Sequence, residues 1–335
     1  MQFVSETQGW AVAGGHLYWT ADGGCHWRNI TPEDGPQWGA NAIFFLDRVH
    51  GWVATGQEVF RTTDGGRSWK KTSVAFSGDL VGLDFVDANN GWLATAGFGG
   101  GEMRPAEPAG DIFHTTDGGL HWTDQVDNRL NGGQMRFLTS AIGWALNYAE
   151  DKLYRSDDGG VSWTAIEVAP PPGYEARLSL PTFSTPSDGV LAATLLRRRN
   201  GSAPPVRYGG DVGLTYMVSH DGGLSWTPTR VFIEPPLVIP VVVSGKTWMV
   251  AHPGTTDTDM IETTVDAGQT WTQIRPVGLP LISQFDFASP LVGWARPSGY
   301  ECVAVGQTCS YREDLLVTVD GGKRWTTIDL TAAGL

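Results

Sequence analysis

The chain has 335 residues, a formal net charge of −13 and a pI near 4.9. Such an acidic balance opposes a general binder of nucleic acid or of anionic membranes, and no apolar run approaches the roughly eighteen residues of a membrane span. Charged residues make up only 18% of the sequence, and 15 Trp and 44 Gly stand in their place.

A box of eight residues, Ser/Thr-x-Asp-x-Gly-x-x-Trp, occurs seven times along the chain. A second signal runs in phase with it: an apolar residue seven places before the Trp of a Gly-Trp pair, or its equivalent. Each unit therefore predicts four short strands, with the box in the turn between the third and fourth. The segments are too short, and too rich in Gly, Thr and Trp, to be helices. Units of about 48 residues suit four-stranded propeller blades. The expected fold is all-β: a single seven-bladed β-propeller domain over 1–335, of four-stranded antiparallel blades.

Blade 1 (1–37) carries Phe3/Trp10 and the box Thr20-Asp22-Gly24-Trp27, within which Cys25 is expected to be a buried small apolar residue. Blade 2 (38–77) has Phe45/Trp52 and Thr62-Asp64-Gly66-Trp69. Blade 3 (78–129) has Phe85/Trp92 and Thr115-Asp117-Gly119-Trp122, with Glu102, Arg104 and Glu107 in a long insertion. Blade 4 (130–172) has Phe137/Trp144 and Ser156-Asp158-Gly160-Trp163. A connection, Ala165–Pro181, then brings Tyr174, Glu175 and Arg177. Blade 5 (173–233) has Phe183/Val190 and Ser219-Asp221-Gly223-Trp226, and its insertion holds Arg197, Arg198, Arg199, Arg207, Tyr208 and Asp211. Blade 6 (234–279) aligns Val241/Trp248 ahead of Thr264-Asp266-Gly268-Trp271. Blade 7 (280–335) has Phe287/Trp294 and Thr318-Asp320-Gly322-Trp325, and its insertion holds Arg296, Tyr300, Glu301, Tyr311, Arg312 and Glu313.

The box is structural chemistry. Its carboxylate accepts bonds from turn N–H groups, its glycines permit positive φ, and its Trp covers the turn. Calcium wants six to eight oxygens, which one Asp beside two glycines does not supply, so no metal site is expected at Asp22, Asp64, Asp117, Asp158, Asp221, Asp266 or Asp320. From the Trp of Gly-Trp, or its equivalent, to the box Asp is 12 residues in blades 1 and 2 but 25, 31 and 26 in blades 3, 5 and 7. All the long insertions are therefore loops between second and third strands, and that side is the candidate binding face. Arg104, Tyr174, Arg177, Arg197, Arg198, Arg199, Arg207, Tyr208, Arg296, Tyr300, Tyr311 and Arg312 are its candidate contacts, because Arg and Tyr combine area with hydrogen bonding. The competing assignment for Arg197–Arg199 is the solvated end of a strand.

Nothing points to a catalytic elbow, a zinc-protease helix or a phosphate-binding loop. No cofactor is expected, and no residues are assigned as catalytic. A carbohydrate ligand, in a glycosidase or lectin, is the alternative; Glu102, Glu107, Glu301 and Glu313 would supply the paired carboxylates such hydrolysis needs. Cys302 and Cys309 are spaced to close a small loop as a disulfide in an oxidising compartment; the alternative is two free thiols in the cytosol. The start at Met1-Gln2-Phe3, already in a strand, suggests that an export signal has been removed. Blades 1 and 7 are expected to meet by side-chain packing, without a shared strand.

The box resembles the Asp-box repeat of bacterial neuraminidases. Box plus Gly-Trp strand, seven times over, is most similar to the photosystem II stability/assembly-factor family and its relatives in non-photosynthetic bacteria. That resemblance implies a non-catalytic, exported scaffold binding a protein client or membrane-protein subunit through an arginine-rich patch, for which Arg197–Arg199 is the candidate. Sialidases have six blades and an early Phe/Tyr-Arg-Ile-Pro motif that this chain lacks. Xyloglucan-type glucanases pair two propellers, and sortilin-like receptors use ten blades.

Overall fold

In a computed structural model the chain is an all-β, seven-bladed propeller of four-stranded antiparallel blades. The structure describes residues 1–13, 15–33, 42–75, 79–96, 110–125, 130, 134–147, 149–197, 212–232, 241–244, 246–256, 258–297, 300–302, 309–311 and 315–328. The chain divides into two compact units. One is Met1–Ile30 with Glu234–Leu335 (blades 1, 6 and 7), and the other is Thr31–Ile233 (blades 2 to 5).

In blade order, the first strands are Gln2–Phe3, Ala42–Phe45, Asp79–Phe85, Met135–Phe137, Thr182–Phe183, Val241–Val242 and Ile282–Phe287. The second are Gly9–Ala13, Gly51–Thr55, Gly91–Ala96, Gly143–Leu146, Gly189–Arg197, Trp248–Thr256 and Gly293–Pro297. The third are His16–Thr20, Glu58–Thr62, Ile112–Thr115, Leu153–Ser156, Val212–Ser219, Thr258–Thr264 and Leu315–Thr318. The fourth are Arg28–Asn29, Lys70–Ser73, Thr123–Gln125, Thr164–Ile166, Thr227–Phe232, Thr272–Ile274 and Thr326–Ile328.

The register explains the seven-residue spacing. Phe85 pairs across the ladder with Gly91, and the box Thr115 pairs with the same glycine from the other side. The Phe85 ring lies over Gly91 so closely that a Cβ there would stand 2.2 Å from it. The same close pairing recurs at Phe3/Gly9, Phe45/Gly51, Phe137/Gly143, Phe183/Gly189 and Phe287/Gly293. On the other side of the Phe85, Phe137 and Phe3 rings sits the strand Trp of the preceding blade. Trp52 stacks on Phe85 at 3.6 Å and donates Nε1–H to the Gly118 carbonyl of blade 3's box at 2.8 Å. Trp92 repeats both contacts with Phe137 and Gly159, and Trp294 repeats them with Phe3 and Gly23. Blade 1 thus meets blade 7 through side chains, and among the described residues neither sheet borrows a strand from the other.

Blade 6 departs from the alignment Val241/Trp248. Val242, not Val241, pairs with Trp248, and Trp248 pairs with the box Thr264. Trp248 therefore occupies the glycine position, with its ring 6.3 Å from the box Trp271. Met249 holds the strand-Trp position, buried in one cluster with Phe285 and Phe287 of blade 7. A small Val242 opposite a large Trp248 replaces a large Phe opposite Gly, so the same space is filled from the other strand. Blade 6 also puts Ala267 where the other boxes have their first glycine, at φ 58.

Two further expectations are corrected. Cys25 is exposed, because it follows the glycine pair at the outer tip of its turn. Ala165–Pro181 is not wholly a connection: Tyr174–Leu178 is a strand that pairs with Ala193–Arg197 and makes blade 5 five-stranded.

Candidate functional site

The seven acidic turns consume their own polar atoms. In blade 3 the Thr115 hydroxyl donates to Asp117 Oδ1 at 2.9 Å and accepts from Gly119 N–H at 2.8 Å. Asp117 Oδ1 also accepts from the N–H groups of Leu120 and His121, and Oδ2 meets His121 Nδ1 at 2.6 Å. Gly118 and Gly119 have φ of 74° and 91°, which only glycine adopts at little cost. The residue just before the box Trp is a further element of the motif, missed in the sequence. His26, Ser68, His121, Ser162, Ser225 and Thr270 all bond the second carboxylate oxygen through their side chains. Its signal was available: a short donor at that place in six of seven copies.

These donors hold the carboxyls well below the usual range. At Asp64 the Ser68 hydroxyl leads and the pKa is about 2. At Asp117, slight burial pushes up, but the bonds from His121, Thr115 and Leu120 prevail and bring it to about 2. Among the described residues no group of three or more His, Cys, Asp or Glu is placed to hold a metal ion.

Two other aspartates lie half-buried along the first strands. Asp84 accepts from Phe137 N–H at 2.6 Å, and Asp286 accepts from Phe3 N–H at 3.2 Å. Burial pushes both carboxyls up, and at Asp84 that outweighs the backbone bond and the nearby Arg136 charge. Arg136 itself donates to Thr182 Oγ1 of blade 5 at 2.9 Å.

Blade 5 places three candidates along one edge, Tyr174 and Arg197 on one face and Arg177 on the other. Tyr174 lies directly opposite Arg197, and Arg177 opposite Thr194. Tyr174 packs half-buried on the core with Leu178 and Leu195, while Arg177 and Arg197 are exposed. Arg197 thus ends a strand rather than belonging to a loop. In blade 7, Arg296 lies half-buried in the strand Gly293–Pro297, paired with Gln284, and not in the insertion. Burial, followed by the Arg296 charge, holds the Met1 ammonium below its ordinary value. Tyr300 and Tyr311 face each other in register on a separate two-stranded sheet, Tyr300–Cys302 with Cys309–Tyr311. Glu301 pairs with Ser310 on that sheet. Arg104, Arg198, Arg199, Arg207, Tyr208, Asp211 and Arg312, with Glu102, Glu107 and Glu313, lie outside the described residues.

The family described as photosynthesis system II assembly factor YCF48 matches residues 37–179, less than half of the chain. No curated protein matches the chain. Among solved structures, YCF48 bound to D1 peptide is 18% identical, with 88% of this chain and 81% of that one covered and a TM-score of 0.54. YCF48 from Cyanidioschyzon merolae is 17% identical, with 88% and 90% covered and a TM-score of 0.58. An ancestral GH74 enzyme is 13% identical at a TM-score of 0.53; 96% of this chain spans 43% of it. The chain therefore resembles the YCF48 proteins in sequence over blades 2 to 4 and shares its propeller fold with all three.

Proposed function

We propose that the chain is a non-catalytic scaffold that binds a segment of a protein client and serves that client's assembly or stability. The carrying observation is the blade 5 edge, where Tyr174 opposes Arg197 and Arg177 stands exposed on the same added strand. The exposed Arg197 guanidinium beside a half-buried aromatic ring, with Arg177 on the other face of the same edge, in a chain of net charge −13, suits an acidic peptide segment. The match to the YCF48 family, and the fold shared with a YCF48 bound to a peptide, support the same class of partner. An extracytoplasmic place, beside a membrane-protein client, belongs to this reading. No helix of the described residues is long and apolar enough to cross a membrane.

The test is recovery of the client from the native cell on immobilised protein, comparing wild type with Arg177→Ala/Arg197→Ala/Arg198→Ala/Arg199→Ala. We expect recovery to fall at least tenfold, and wild-type recovery to weaken as salt rises. Equal recovery by both proteins removes this edge as the contact.

A further inference from the structure

We propose that Cys302 and Cys309 form an intramolecular disulfide that closes the blade 7 insertion. The two strands Tyr300–Cys302 and Cys309–Tyr311 make a sheet of their own, outside the four strands of the blade. Their register sets Cys302 directly opposite Cys309, at one end of a ladder whose other end pairs Tyr300 with Tyr311. Directly opposed residues in an antiparallel pair have Cα atoms about 4.5 or 5.5 Å apart. A disulfide bridges Cα separations of about 4.4–6.8 Å. The register thus places the two Cα atoms within the range that the bond spans.

The sheet also needs such a link. An isolated pair of strands is marginal in water, because it buries too little to offset the ordering of its backbone. A covalent rung at the loop end restricts the unfolded insertion and holds the register. The bond forms by thiol–disulfide exchange with a small-molecule disulfide. One cysteine thiolate attacks a sulfur of that disulfide, forming a mixed disulfide and releasing one external thiolate. The second cysteine thiolate then attacks the protein sulfur of the mixed disulfide and releases the other external thiolate. Two protein thiols are oxidised, one external disulfide is reduced to two thiols, and the protein's protons pass to solvent. The pairing holds whether or not the tyrosines touch a client.

Cys25, the third cysteine, is exposed on blade 1. The full chain carrying Cys25→Ser is equilibrated with oxidised glutathione, unfolded without reductant and treated with iodoacetamide. We expect no alkylated cysteine and no glutathione adduct before reduction, an intact mass two hydrogens lighter, and two alkylated cysteines after reduction. In wild type, peptide mapping without reduction should join Cys302 to Cys309 within one molecule, leaving Cys25 out. Adding Cys302→Ser to Cys25→Ser should leave Cys309 alkylated or glutathione-bound. Two alkylated or two glutathione-bound cysteines in the Cys25→Ser protein, a covalent dimer, or a bridge to Cys25 in wild type would overturn the assignment.

Discussion

In blade 3 the ring hangs from the first strand, at Phe85, and the second strand yields with Gly91. In blade 6 the ring hangs from the second strand, at Trp248, and the first yields with Val242. Blade 3 receives an indole from its predecessor, stacked and hydrogen-bonded, whereas blade 6 offers its successor a methionine. Blade 3 has glycine at the first left-handed position of its box, and blade 6 has alanine there. The comparison teaches that the blade demands a filled volume at a fixed place, and that the identity of the strand supplying it is free. Close packing is sensitive to volume and tolerant of exchanges that keep it.

Removing the two forward-reaching side chains tests the contrast most strongly. Trp52→Ala should cost about 3–5 kcal/mol, since it empties the stack on Phe85 and leaves the Gly118 carbonyl without its donor. Met249→Ala should cost less, near the lower end of about 2–5 kcal/mol, because no hydrogen bond or ring stack is lost. Denaturant unfolding of both variants decides; equal losses would erase the distinction between the junctions.

The glycine requirement comes next. Gly91→Ala should cost about 1–3 kcal/mol by driving a methyl group into the Phe85 ring. In a Phe85→Val background the same substitution should cost almost nothing, which would turn blade 3 toward the blade 6 arrangement. Calorimetry of the double-mutant cycle gives the coupling, and additive losses would refute the volume argument.

The box carboxylates should give a smaller, pH-dependent effect. Asp117 has a folded pKa of about 2, below its unfolded value of roughly 3.9. Its contribution is therefore present above pH ~4 and lost as pH falls toward 2. Asp117→Ala should cost about 1 kcal/mol at pH 7, after discounting for solvent screening of a side chain 37% exposed. The gap in Tm between variant and wild type should close in acid; a gap that persists at pH 2 would assign the loss to something other than the charge. Smallest of all, Ala267→Gly should raise stability by less than about 1 kcal/mol, since it relieves a left-handed alanine at the cost of a freer unfolded chain. No change or a loss in Tm would mean that blade 6 accommodates its alanine without strain.

Most of the architecture was legible because sterics spell it out. A glycine beneath a ring, a carboxylate gathering turn N–H groups and an indole over the turn admit few substitutes. Blade 6 misled because its Val241-Val242-Val243 run satisfies an apolar pattern in more than one register, and Trp248 satisfies either ring position. The strand Tyr174–Leu178 was hidden behind Pro170-Pro171-Pro172-Gly173, which has the composition of a linker. The candidate contacts were legible only as composition. Loop residues carry no periodicity, so nothing in the sequence could show that Tyr174 faces Arg197, or that Arg296 belongs to a strand.

Junction 4 to 5 varies the indole contact in another way. Trp144 stacks on Phe183 at 4.2 Å, but Arg155 Nη1 takes the Gly222 carbonyl. The buried Trp144 Nε1 then has no hydrogen-bond partner among the described residues. Within each unit the interlock between neighbouring blades is heterologous: one blade presents a plug, the next a socket, and the two surfaces differ. Such a contact carries no count of its own. A gene that gained or lost one whole repeat at such a junction would still match plug to socket there, whereas a break within a repeat would strand an aromatic plug in solvent.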